Sequence, residues 1–157
     1  MGRASDAYRD GILQAWQGEL WGKAFFERLA AATDDAGQRV KLQVLAELEE
    51  VTGNRLAPLV ADPEEPPSAD AYRPLQSAVA AYAALPWGVA MERMMTILDP
   101  AIERFRELLA LAPAEERDTV QILVDHEVAL KRFAERELAG DVDTSLDPVL
   151  AVIERAR

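Results

Sequence analysis

Apolar residues recur at three- and four-residue spacings through most of the chain, which is the period of an α-helix. The first stretch predicts helix A from Ser5 to about Ala32. Thr33-Asp34-Asp35 then gives an N-cap signal for helix B, which is expected to end before Pro58. Because a short loop joins the two helices, they should form an antiparallel hairpin.

The second half of the chain predicts another helical pair. Residues 58–69 are acidic and rich in proline, which favours a long surface crossover, and residues 70–85 predict an extra helix packed outside the bundle. Helix C is expected from Pro86 to about Ala112 and helix D from Ala114 to Gly140. Asp99-Pro100 predicts a kink or a break within helix C.

The C-terminal residues predict a last short helix, over about 146–156, with Leu150 and Ile153 docked on the bundle. No stretch shows a strand pattern of useful length. The chain is therefore expected to form one all-α domain over residues 1–157, with its core bundle over about 5–140.

Composition narrows the classes of function. The 157 residues are 50% hydrophobic, which is enough for a real core, and 28 acidic against 17 basic residues give a net charge of -11. That charge disfavours nucleic acid and anionic membranes as partners. There is no run of about 18 apolar residues and no signal-peptide pattern at the N-terminus, so a cytoplasmic location is expected. Without cysteine, any metal site would need oxygen and imidazole ligands.

Charged residues on apolar helix faces supply the candidate chemistry. Glu19 lies near the centre of the apolar stripe of helix A, and Glu127 and His126, the only histidine, lie on the apolar face of helix D, whereas Asp125 points away from it. Buried ionised groups are rare without a partner, because each loses hydration worth several kcal/mol. The pattern therefore indicates a shared cation or a shared proton.

The helix order and these residues resemble the ferritin-like superfamily and, within it, the rubrerythrin-like proteins, over about residues 5–140. Three stretches support the resemblance: Glu19 in GELWGKAFFERLA, Glu49 in LAELEEVTGNRLAPL, and His126-Glu127 in LVDHEVALKRFAERELAG. The resemblance implies an antiparallel four-helix bundle with a long crossover between helices B and C. It also implies iron or manganese between the helices, held here by Glu19, Glu49, His126 and Glu127.

The sequence departs from the family pattern of a glutamate on helices A and C and a Glu-x-x-His motif on helices B and D. Neither Glu-x-x-His motif is present, and on helix C the candidate Glu92 falls on the polar face. On helix B, Glu47 and Glu49 flank opposite edges of the apolar stripe, so the pattern leaves both open, and only the resemblance favours Glu49. This incomplete set is expected to hold one divalent ion or a carboxylate-dominated pair.

Two functions remain open at this stage. The first is a metal-binding protein, expected to act as an iron or manganese oxidoreductase on oxygen, peroxide or a small substrate, with no catalytic residue assigned. The second is a metal-free helical module that acts by self-association or small-ligand binding. In it Lys23 and Lys131, each one turn after a buried glutamate, would neutralise Glu19 and Glu127.

A homodimer is expected under either function. Trp21, Phe25 and Leu29 lie on one flank of the core stripe of helix A, and exposed apolar flanks of long helices often pair.

Overall fold

The computed structural model describes residues 5–60 and 72–157, and every regular element in these two ranges is helical. This confirms the all-α prediction. Two 3₁₀ turns, Ala57–Leu59 and Ala114–Glu116, flank the longer helices. The α-helices are α1 (Asp6–Ala31), α2 (Ala36–Leu56), α3 (Arg73–Ala83), α4 (Trp87–Leu111), α5 (Arg117–Ala139) and α6 (Asp147–Ala156).

Local capping chemistry sets several of these helix ends. The Ser5 hydroxyl accepts the Tyr8 N–H at 3.2 Å and starts α1, and a carboxylate oxygen of Asp35 accepts the Gln38 N–H at 2.8 Å and starts α2. Gly140 ends α5 with a φ of 85°, a left-handed conformation that a residue with a Cβ rarely adopts. The N-cap signal at Thr33-Asp34-Asp35 and the predicted end of helix D at Gly140 are therefore confirmed.

The four long helices pack as two hairpins. Helix α1 pairs with α2, and α4 pairs with α5; α2 also contacts α5, while α1 meets α4 along fewer residues. Helix α6 lies against α2 and α5, and α3 lies on α1. None of the helices in the described ranges is both long enough and apolar enough to cross a membrane.

Three further predictions concern the crossover, the kink at Pro100 and the last helix. Residues 61–71, with most of the predicted crossover and the first residues of the extra helix, lie outside the described residues. Helix α4 continues through Pro100, which excludes a break there and leaves the kink as a prediction. In α6, Ile153 is buried as predicted but Leu150 is 47% exposed, so the docking of Leu150 was wrong and Val149 and Val152 face the core instead.

The apolar flank of α1 is not an exposed surface. Helix α3 covers it: the Phe25 ring packs edge-on against Tyr82 with the ring centres 5.2 Å apart and stacks on Trp21 at 5.4 Å. Phe25 and Leu29 are buried within the chain itself. The prediction that this flank is free to pair was wrong, and the homodimer remains a prediction without an assigned surface.

Candidate metal centre

Three helices bring the candidate ligands together inside the bundle. Glu19 lies in the middle of α1, Glu49 in the third quarter of α2 and His126 in the middle of α5, and all three side chains are buried. The ligand atoms that these residues offer lie within 4.8 Å of one another, and they form the one such group that could hold a metal ion among the described residues. Residues up to 107 positions apart in sequence thus share one small volume.

His126 lies between the two carboxylates. Its Nε2 is 3.1 Å from Oε1 of Glu49, a hydrogen bond, and its Nδ1 is 3.3 Å from Oε2 of Glu19. The second pair is enclosed in the protein, yet neither of its atoms has a hydrogen-bond partner within residues 5–60 and 72–157. An enclosed polar atom without a partner costs free energy, so this pair needs an explanation.

The tautomer of His126 determines whether its Nδ1 carries a proton or a lone pair. When Nε2–H donates to Glu49, a neutral imidazole carries a lone pair on Nδ1, and that lone pair faces the lone pairs of Glu19. The contact is repulsive unless a cation stands between the two atoms or a proton is added to one of them. The geometry therefore fits a metal ion, a protonated His126 or a protonated Glu19.

The pKa values of His126 and Glu19 reflect both their burial and the charges beside them. Burial alone would lower the pKa of His126, but the Glu19 and Glu49 carboxylates raise it well above its ordinary value. Burial and the neighbouring Glu49 raise the pKa of Glu19, against the opposing effect of His126. Both groups therefore hold a proton more strongly than the same groups do in water.

Glu127 occupies a different position from the other candidates. It is buried on α5 outside the group of three residues, and it lines a cleft that also reaches Glu19 and Glu49. Burial raises the pKa of its carboxyl to about 7, although His126 and Arg104 act in the opposite direction. This carboxyl can therefore exchange a proton near neutral pH beside the candidate metal site.

Glycines leave space for the two carboxylates. A Cβ at Gly22 would lie 2.6 Å from Oε2 of Glu49, and a Cβ at Gly53 would lie 3.3 Å from the Cβ of Glu19. Any side chain at Gly22 would thus displace the Glu49 carboxylate, so this glycine leaves room for a candidate ligand.

The two lysines of the metal-free hypothesis are not at the site. Lys23 pairs with Glu27 at 3.5 Å and with Glu50 at 3.3 Å, and Lys131 pairs with Asp99 at 2.7 Å. The prediction that they neutralise Glu19 and Glu127 was wrong. Long ammonium side chains keep their charge in water where a surface carboxylate is within reach, because burial of the charge is costly.

The other carboxylates considered as ligands from the sequence face outward. Glu47 pairs with Arg157, and Glu92 is exposed on α4 as its helical position predicted. Asp125 pairs with Arg155 at 3.1 Å, away from the site. The alternative that the sequence left open is thus resolved, since Glu49 faces the core and Glu47 does not.

A large cleft beside the site was not predicted. It has a volume of about 810 Å³, runs between α1 and α4, and reaches Glu19, Glu49 and Glu127. One signal in the sequence could have indicated it, namely a row of small residues on α1 at three- and four-residue spacings: Gly11, Ala15, Gly18 and Gly22.

Comparisons of the chain with protein-family models, with curated proteins and with solved structures gave no match. The ferritin-like resemblance therefore stays a prediction, and function has to be argued from the site.

Proposed function

We propose that the protein is a ferritin-like bundle that binds a divalent metal ion through Glu19, Glu49 and His126. The observation that carries the proposal is the enclosed pair of His126 Nδ1 and Glu19 Oε2, which lie 3.3 Å apart without hydrogen-bond partners among the described residues. Ligand atoms that lie about 2.0–2.2 Å from one divalent ion stand about 3.0–3.5 Å from each other. The separation of this pair falls in that range.

The second ring nitrogen supports the same proposal. Histidines that bind metal commonly donate their other N–H to a carboxylate, which fixes the tautomer and the orientation of the ring. Nε2 of His126 has such a partner in Glu49 at 3.1 Å, so Nδ1 is the nitrogen left to bind the ion. Glu49 would thereby orient His126 from the side of the ring opposite the ion.

The donor set is consistent with iron or manganese, because it consists of carboxylate oxygens and one imidazole. A bound ion of this kind supplies Lewis acidity and redox chemistry toward oxygen, peroxide or a small substrate. Glu127, at the cleft, would hold or release a proton beside the bound molecule. The apolar cleft walls would limit access of water to the reacting groups.

Metal content tests the proposal directly. The protein is expressed with added iron and manganese, purified without chelator or affinity metal, and analysed by plasma mass spectrometry. We expect about one equivalent in the wild type and in Glu47→Gln, but less than about 0.1 equivalent in Glu49→Gln and Glu19→Gln. Glu47→Gln is a matched control, because it removes one carboxylate from the same helix on the outward side.

A second candidate function follows from the position of His126 between two carboxylates. A protonated imidazole there would supply both N–H donors and balance one of the two carboxylate charges without metal, leaving a metal-free bundle that acts by self-association or small-ligand binding. Less than about 0.1 equivalent of metal in the wild type would refute metal binding and favour this second function.

A further inference from the structure

We infer that the cleft between α1 and α4 is a binding site for an uncharged, mostly apolar small molecule. The inference rests on the proposed function in one respect, since it identifies this molecule as the substrate class that would reach the metal. Binding itself depends only on the cleft. Its volume of about 810 Å³ lies within the range of about 300–1,000 Å³ that is usual for pockets that hold drug-sized molecules.

The cleft remains open because the small residues of α1 are only partly covered by α4. At Gly11 the two helices meet, since an added Cβ would lie 2.6 Å from Cδ1 of Leu108. Two turns further along α1, a Cβ at Gly18 would meet nothing within 4 Å. The small residues therefore allow close contact at one end of the cleft and leave open space beside Glu19.

Apolar side chains extend to the rim of the cleft. Ile97 and Leu111 of α4 are 58% and 56% exposed although both are large and apolar, and both line the cleft. Scattered exposed apolar residues are ordinary, but two at the rim of an apolar cleft add to the surface that a ligand would remove from water. Trp21, Phe25 and Tyr82 continue the apolar wall at the α3 end.

The polar atoms of the floor determine the charge of the ligand. Glu19, Glu49 and Glu127 line the cleft and would repel an anionic head group. Arg104 and Glu107 of α4 also line the cleft, both are exposed, and their opposite charges offset each other. With a divalent ion bound, the charges of Glu19 and Glu49 are balanced, so little net charge remains to attract an ammonium group. An uncharged molecule is the class that this floor accepts best.

An enclosed polar group lies where the cleft meets the proposed metal site. Glu19 is 3% exposed, lines the cleft, and has an oxygen without a hydrogen-bond partner in the described part of the chain. An apolar cleft with an unpartnered polar group at its floor is the combination typical of small-molecule sites.

Binding of N-phenyl-1-naphthylamine tests the inference, because this uncharged probe fluoresces strongly in apolar surroundings. We expect saturable binding to the wild type, displacement by 1-decanol, and much weaker displacement by decanoate. Gly18→Leu fills the open space and should weaken the probe at least about tenfold, whereas Gly18→Ala should stay within about twofold. Ile97→Glu at the exposed rim should also weaken binding, and Val40→Glu, equally exposed on α2, is its matched control.

Thermal unfolding of each variant shows whether it is folded. If Gly18→Leu does not fold, Ile97→Glu still tests the inference. Equal probe affinity in the wild type, Gly18→Leu and Ile97→Glu would overturn the inference. So would displacement by decanoate at the same concentration as by 1-decanol.

Metal content, measured on the same samples, separates the two proposals. If the protein takes up no metal but Gly18→Leu weakens probe binding, the cleft site is supported and the metal centre is refuted. Metal uptake with probe binding that is insensitive to Gly18 supports the metal centre and refutes the cleft site.

Discussion

Replacement of Glu127 by glutamine should stabilise the metal-free protein at alkaline pH. The buried carboxyl of Glu127 has a pKa raised to about 7, chiefly by desolvation. The sequence predicts the opposite effect of losing this carboxylate, because it places Lys131 beside Glu127. The structure removes that reason, since Lys131 pairs with Asp99 at 2.7 Å.

The direction and size of the effect follow from proton linkage. The folded protein retains the Glu127 proton up to a pH of about 7, whereas the unfolded chain releases it near the ordinary pKa of 4.5. The unfolded state therefore binds fewer protons in this window, and the free energy of unfolding falls as the pH rises through it. For a shift from 4.5 to about 7, the loss between pH 5 and pH 8 is about 2.5 kcal/mol.

Urea unfolding with chelator present, at pH 5, 6, 7 and 8, measures this contribution. Glu127→Gln keeps the shape of the side chain and cannot ionise, so its advantage over the wild type should grow by about 2.5 kcal/mol between pH 5 and pH 8. Glu135→Gln, an exposed change on the same helix, should show no such growth. A difference between Glu127→Gln and the wild type that is independent of pH would refute the reasoning.

Three further predictions concern the ligands and their surroundings. Gly22→Ala should displace the Glu49 carboxylate. We expect it to lower the free energy of unfolding, measured with urea, by about 1–3 kcal/mol and to lower the metal content. A variant that matches the wild type in both measurements would contradict this close packing. Lys41→Met removes the charged partner of buried Glu137, 2.8 Å away, and leaves that carboxylate only the indole N–H of Trp87 among the described contacts. The change should cost about 3–5 kcal/mol, most of which a second change, Glu137→Leu, should restore. Manganese at about one hundred times its dissociation constant should raise the free energy of unfolding by about 2.7 kcal/mol in the wild type but not in His126→Asn, and an equal rise in both would place the ion elsewhere.

The helices were predictable because local chemistry determines where they begin and end. Ser5, Asp35 and Gly140 act within one turn of their own helix, so the sequence carries the information without knowledge of the fold. The buried positions of Glu19 and His126 were predictable for a similar reason. Each interrupts an apolar stripe, and a helix that buries the stripe must bury the interruption too.

The choice between Glu47 and Glu49 depended on tertiary contacts. Both flank the stripe of α2, and small rotations of the helix exchange their burial. Gly22 on α1 makes space for Glu49, while Arg157 at the end of the chain pairs with Glu47. These partners lie 27 and 110 residues away in sequence, too far for helical periodicity to reveal.

The lysines show the limit of i,i+4 spacing as evidence. Lys23 has the spacing for a pair with Glu19 and instead reaches Glu27 and Glu50 near the surface. Spacing brings two side chains within reach on one helix, but the cost of removing an ammonium group from water decides which partner it takes.

The cleft and the proposed metal centre are connected through Glu19, which lines one and belongs to the other. Small residues alone did not predict this arrangement, because Gly11 and Gly18 belong to one row and only the second faces open space. The position of α4 decides between contact and cleft, and the sequence does not specify it locally. The metal and the apolar molecule would both act on the Glu19 carboxylate, so the binding of one can change the affinity for the other. Linkage requires this change to be reciprocal: the factor by which metal changes the affinity for the apolar molecule equals the factor by which that molecule changes the affinity for metal. Titrations of N-phenyl-1-naphthylamine with and without manganese, paired with manganese titrations with and without 1-decanol, would therefore show whether the site and the cleft function as one unit.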